Sequence, residues 1–235
     1  MIKYLASESY KLICSKFIYF SLFWAFLYSL LVNILYLLDG EILLLYNNFI
    51  NEYLLLYLVL GLYYACVLIT DEYAYGTIND LSSVNAIVGK IIVLLLYLFG
   101  LFLCSFLFSY DLSFLLSGDV LRNIRILGDI FISFGKCLPM LISLNLLCML
   151  IGTITKKGNL TLIGIYLIFF ASEYLKTLVI SRNWSYWYYI PCLIWNFNNW
   201  FYIKEYLPLW MAILIIAGFI IILLVSLIYF FNHRR

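Results

Sequence analysis

Six long apolar runs divide this chain, at about Phe17–Leu38, Tyr53–Thr70, Ile91–Tyr110, Ile130–Ile154, Leu160–Ile180 and Leu209–Phe231. Each is near the roughly 20 residues an α-helix needs to cross about 30 Å of hydrocarbon at 1.5 Å per residue. In lipid every backbone amide must be satisfied within the protein, which a helix does turn by turn. The runs therefore predict an all-α integral membrane protein with six transmembrane helices in a single domain over residues 1–235. Composition agrees: 66% of residues are hydrophobic and 11% charged, against about 45–50% and about 25% in ordinary soluble domains. A net charge of only +2 gives no basic footprint for nucleic acid.

Residues 1–16 carry Lys3, Ser7 and Lys11 at helical spacing, with Glu8 and Ser15 nearby and Leu5, Leu12 and Ile13 falling away from them. This pattern predicts an amphipathic interfacial helix. Three lysines ahead of an apolar run also fit a signal peptide, but Phe17–Leu38 is longer than a signal core and lacks a small-residue cleavage site. We read it as an uncleaved first span. Six spans put both termini on one side, together with Lys3, Lys11, Lys16, Lys90, Lys156, Lys157, Arg234 and Arg235. Arg122, Arg125, Lys136, Lys176, Arg182 and Lys204 fall opposite. The first set sits close to span ends, and the first outer loop, Asp39 to Glu52, has no Lys or Arg, so both termini are expected in the cytoplasm.

The most polar interruption of the first half is Asp71-Glu72-Tyr73-Ala74-Tyr75-Gly76-Thr77, continuing through Asp80 to Gly89-Lys90. A connector from Asp71 to Lys90 is far longer than a hairpin between spans needs. Asp71 and Glu72 precede a possible helical turn, where carboxylates favour the positive end of the backbone dipole. It carries Glu, three residues, Gly-Thr, and then Gly-Lys. In this the chain resembles the ABC-2 family of ABC transporter permeases, where Glu-x-x-x-Gly-Thr follows the second span and Gly-Lys opens the third. The matching positions are Glu72, Gly76, Thr77, Gly89 and Lys90, and Glu8 and Lys11 resemble the family's elbow helix. The stretch Asn79 to Asn85 departs from the family in lacking the Pro and Arg often seen there.

The resemblance implies a coupling helix from about Glu72 to Asn85, lodged in a groove on a separate ATPase subunit. Asp71, Glu72, Tyr75, Gly76, Thr77, Asp80, Gly89 and Lys90 would then carry ATPase coupling. The chain has no Gly-x-x-x-x-Gly-Lys-Ser/Thr phosphate loop, so it is not expected to be an enzyme itself. ATP and Mg would be bound by the partner, and no cofactor by this chain. Without the resemblance, the same segment reads as a polar connector that satisfies its own amides at the interface.

The other polar features are sparser. Arg122 and Arg125, between the third and fourth spans, are i, i+3 on any short helix and can meet acidic neighbours, so the outer loop from Asp111 to Asp129 reads as a solvated charged helix, with peptide binding as the alternative. Lys136, Glu173 and Lys176 fall at similar depth in the outer parts of the fourth and fifth spans, either as an ion-paired structural cluster or along a substrate path. Thr155-Lys156-Lys157-Gly158-Asn159 is a tight basic turn that anchors topology. Residues 181–208 are rich in aromatic residues, including Trp184, Trp187, Trp195 and Trp200, and are broken by Pro191 and several Asn. Aromatics with polar tips prefer the headgroup region, so two short helices dipping into the outer leaflet are expected. The ABC-2 resemblance implies such re-entrant helices, here as an outer-leaflet gate or as plain membrane anchoring.

Catalytic chemistry finds little support. The only histidine is His233, no Gly-x-Ser-x-Gly elbow occurs, and no two of the six cysteines stand as Cys-x-x-Cys, so neither catalytic residues nor a metal site are expected. The cysteines read as small apolar fillers. The resemblance implies a permease subunit in a bacterial cell membrane, paired with a second permease copy or a paralogue and with ATPase subunits. The expected activity is export of an amphipathic or lipophilic substrate, such as an antimicrobial peptide, or else a drug or lipid. A stand-alone immunity or scaffold protein that transports nothing is the alternative.

Overall fold

A computed structural model describes residues 2–39, 45, 48–75, 84–117, 124–181 and 209–233, and every regular element among them is an α-helix. In chain order these are α1 (Ile2–Cys14), α2 (Lys16–Leu38), α3 (Phe49–Tyr75), α4 (Val84–Ser117), α5 (Ile124–Thr155), α6 (Gly158–Ser181) and α7 (Leu209–His233). Each apolar run of the sequence lies inside one helix, from α2 to α7. Four stretches are long and apolar enough to cross a membrane: Lys16–Leu38, Phe49–Tyr73, Asn85–Ser113 and Gly128–Thr155. The described apolar stretches of α6 and α7, Gly158–Ile168 and Ala217–Phe231, are shorter.

The helices outrun the apolar runs that mark them. At 34 residues, α4 extends about 51 Å at 1.5 Å per residue, more than the hydrocarbon alone requires. The expected outer loop from Asp111 to Asp129 is therefore largely helical: Asp111 to Ser117 finish α4, and Ile124 to Asp129 begin α5. Likewise α3 continues past Thr70 to Tyr75. Hydropathy marks where side chains meet lipid. Backbone hydrogen bonding runs on past that boundary.

A separate helix, α1, precedes α2. The break is at Ser15, whose backbone is extended (φ −76°, ψ 137°). Its hydroxyl and its amide both donate to the Leu12 carbonyl, at 2.8 and 3.1 Å, closing α1 before α2 begins.

The chain gathers into two compact units, Met1–Gly61 with Asn85–Lys136, and Leu62–Val84 with Cys137–Arg235. In the first, α2 meets α4 along a polar seam. Tyr97 Oη donates to Ser21 Oγ at 2.8 Å, and Ser29 Oγ donates to the Ser105 carbonyl at 3.4 Å. Farther along, Asn33 Nδ2 donates to Ser109 Oγ at 2.9 Å and Ser113 Oγ donates to Asn33 Oδ1 at 2.6 Å. Ser21, Ala25, Ser29 and Asn33 recur every four residues on α2, as do Ser105, Ser109 and Ser113 on α4, so small side chains face each other and bring the helices close. Asn33→Leu removes both of its interhelical bonds. At about 0.6 kcal/mol each, an unfolding titration in mixed micelles should show a loss of about 1 kcal/mol.

Aromatic stacking supplies the rest of this unit's core. Phe49 stacks on Tyr53 at 4.4 Å, Phe102 stacks on Phe134 at 4.1 Å, and Tyr57 meets Phe102 edge-on at 6.4 Å, linking α3, α4 and α5. The opposite face of α2 leaves Phe20, Phe23, Trp24 and Leu31 exposed, which suits lipid.

In the second unit the helices approach at Gly152 of α5. A Cβ there would lie 3.2 Å from Ile69 Cγ2 and 3.6 Å from Thr161 Cγ2, so the position takes no larger residue without a shift. The turn to α6 is short. Lys156 is left-handed (φ 58°) and its amide donates to the Gly152 carbonyl at 2.9 Å, ending α5 as a C-terminal cap normally given to glycine. The Thr155 and Thr161 hydroxyls lie 2.7 Å apart across the turn.

Candidate functional site

Two polar places stand out against the apolar helices, one in each unit. In the first, Glu8 of α1 meets Lys90, in the second turn of α4. Lys90 Nζ lies 3.0 Å from Glu8 Oε2, and Lys11 Nζ lies 3.0 Å from Glu8 Oε1. Glu8 is 6% and Lys90 1% exposed. Burying either charge alone would be costly, and the shared carboxylate compensates both ammonium groups. The consequence is mechanical: α1 is tied to the entry of α4 by residues 82 positions apart.

The second place is the end of α3 beside the α5–α6 turn. Asp71 is exposed, whereas Glu72 is buried. The Tyr73 hydroxyl donates to the Thr153 carbonyl at 3.4 Å, its ring packs near Phe231, and Lys156 Nζ sits 5.6 Å from the ring centroid. A cation over an aromatic face is attracted by the ring quadrupole, which holds Lys156 toward α3. Between α3 and the turn runs an open groove of about 520 Å³. Tyr63, Val67, Thr70 and Asp71 line it from α3, and Lys156 to Leu160, with Leu162, from the turn and α6.

Of the expected coupling residues, Asp71, Glu72 and Tyr75 lie in α3, while Gly89 and Lys90 lie in α4. Gly76, Thr77 and Asp80 lie outside the described residues. The first residues of the expected Glu72–Asn85 helix continue α3, and its last two, Val84 and Asn85, open α4. Lys136 is exposed on α5. Glu173 and Lys176 belong to α6, with side chains outside the described part. Trp184, Trp187, Trp195 and Trp200 also lie outside the described residues.

Among the described cysteines all are free thiols, and Cys66, Cys137 and Cys148 are buried. Cys66 Sγ donates to the Gly158 carbonyl at 3.5 Å and Cys148 Sγ to the Leu62 carbonyl at 3.3 Å, so both fill helix contacts. No group of three His, Cys, Asp or Glu side chains among the described residues is arranged to hold a metal ion.

In the sequence Glu8 and Lys11 stand together in the first segment and Lys90 at the head of the third span, and their spacing does not pair them. The available signal was a lysine at the head of a nearly uncharged helix, which requires an acidic partner, and Glu8 is one of few candidates. Comparison of the chain with protein-family models, with curated proteins and with solved structures finds no match.

Proposed function

We propose that this chain is the membrane-spanning permease subunit of an ATP-driven exporter of the ABC-2 type. The observation that supports it most is the buried pair that Glu8 makes with Lys90, the last residue of the polar segment 71–90. A push delivered to that segment by an ATPase would act on the start of α4 directly, and on α1 through the ion pair. A polar connector with no mechanical task has no need of such a tie. The rest of the reading follows from the sequence: six spans, both termini in the cytoplasm of a bacterial cell, and a coupling surface around Glu72, Gly76 and Thr77. A second permease copy or paralogue would complete the path, ATP and Mg would stay on the partner ATPase, and the aromatic segment 181–208 would form the outer gate. An amphipathic peptide is the preferred cargo, with a drug or lipid next.

The test is a mild-detergent pull-down of the tagged chain with mass spectrometry of what accompanies it. A Walker-motif ATPase should come down with the parent and be lost with Gly76→Trp. Recovery of the membrane protein with no ATPase would replace this reading by a stand-alone immunity or scaffold protein.

A further inference from the structure

We infer that the groove between the end of α3 and the α5–α6 turn binds the headgroup of an anionic phospholipid. Three independent features converge there. The first is charge: Lys156 and Lys157 are both exposed at its lip, and Asp71 is the one opposing charge among its described lining residues, whose charges sum to a single positive. That balance suits a monoanionic phosphodiester better than a multiply charged anion. Basic pockets between transmembrane helices are a recurrent form of headgroup site.

The second is the start of α6. The Thr161 amide donates to the Lys157 carbonyl at 3.0 Å, so Lys157 stands just ahead of the helix, and the amides of Gly158, Asn159 and Leu160 have no carbonyl to meet within it. A lysine cannot cap them, since its side chain has no acceptor. The nearby hydroxyls are directed elsewhere: those of Thr155 and Thr161 lie 2.7 Å apart, and Thr161 Oγ1 donates to the Lys157 carbonyl at 2.9 Å. Phosphate oxygens are natural acceptors for amides so arranged, helped by the helix dipole.

The third feature separates a lipid from a soluble phosphate. Below the lip the groove wall turns apolar through Tyr63, Val67 and Leu160. From Leu160 an exposed apolar strip continues along α6 through Ile163 and Leu167, which are 50%, 55% and 63% exposed in turn. These positions share one helix face, a track that an acyl chain can follow and a free ion has no use for. Such a site needs the helices to lie in a membrane and does not depend on an ATPase partner.

The experiment is native mass spectrometry of the full chain, equilibrated in mixed micelles with equal phosphatidylglycerol and phosphatidylcholine. The parent should retain phosphatidylglycerol preferentially. Each lysine near an anionic headgroup contributes about fivefold, so Lys156→Gln with Lys157→Gln should reduce the preference about 25-fold. Val67→Trp, which fills the groove with both lysines in place, should also release the lipid, and it decides the matter should the double variant fail to fold. Lys16→Gln, an exposed lysine on α2, should change nothing. Equal retention of the two lipids, an equal loss with Lys16→Gln, or unchanged retention with Val67→Trp would overturn the inference. So would displacement of the lipid by millimolar inorganic phosphate, which would make this a soluble-anion site.

Discussion

Glu8→Ala is expected to leave little folded protein after extraction from the membrane. The substitution takes from Lys90, which is 1% exposed, the carboxylate that lies 3.0 Å from its ammonium. Removing one partner of a buried ion pair costs about 3–5 kcal/mol, a large part of the about 5–15 kcal/mol by which folded proteins are stable. Lys90→Met should do comparable damage by stranding Glu8, softened by the remaining bond from Lys11. Replacing both, with Glu8→Leu and Lys90→Met, should recover much of the loss, because apolar residues of similar volume substitute for buried pairs at little net cost. Exchanging the two charges should not rescue, since a lysine at position 8 would face Lys11 one turn away on α1. Unfolding titrations, with gel filtration of the extracted protein, measure all four variants. A shift for Glu8→Ala no larger than that of the surface variant Lys16→Ala would show that the pair is not buried in the membrane-embedded protein. The folded double variant has a further use. If α1 passes force to α4 only through this pair, it should bind the ATPase partner proposed above and yet couple poorly.

Gly152→Leu is the second large effect. Its Cβ alone would meet Ile69 Cγ2 at 3.2 Å and Thr161 Cγ2 at 3.6 Å, and leucine adds three carbons beyond it. Neither neighbour is the end of a long flexible side chain, so α3 and α6 must move away from α5. Overpacking of a filled core costs about 1–3 kcal/mol, and a loss near the upper end is expected because the shift would also part the Thr155 and Thr161 hydroxyls. Gly135→Ala serves as the contrast, since a Cβ there has nothing within 4 Å. It should be neutral or stabilise by up to about 1 kcal/mol, as alanine is the better helix former. The same titration reads both. A change below about 0.5 kcal/mol for Gly152→Leu, the range of ordinary surface substitutions, would mean that the close crossing is absent.

Much of the secondary structure was legible because the bilayer makes it a local question. A run such as Phe17–Leu38 needs no knowledge of its neighbours to be helical, and α2 spans Lys16–Leu38. The basic turn at Lys156-Lys157 was equally local, since two polar residues between two apolar runs leave the chain few alternatives. Helix ends were less legible. Asp71 to Tyr75 reads as part of a polar connector and Asp111 to Ser117 as part of an outer loop, yet these residues finish α3 and α4. The candidate site was legible only as scattered charges: Glu8, Lys11 and Lys90 appeared as separate landmarks, and Lys156 and Lys157 as topology anchors.

By itself, then, the sequence determined the class of this protein, an all-helical chain with membrane-length apolar segments, because burial in lipid acts on each segment independently. Tertiary structure alone decided that Glu8 neutralises Lys90 across 82 positions, that Asn33 joins Ser109 and Ser113, and that the Lys156-Lys157 turn forms the lip of a groove. Those outcomes depend on which helix faces meet. Hydropathy cannot rank the faces, because in lipid an apolar surface gains no more from a neighbouring helix than from an acyl chain. The choice falls to the few polar side chains and small residues, and their partners come from distant parts of the chain.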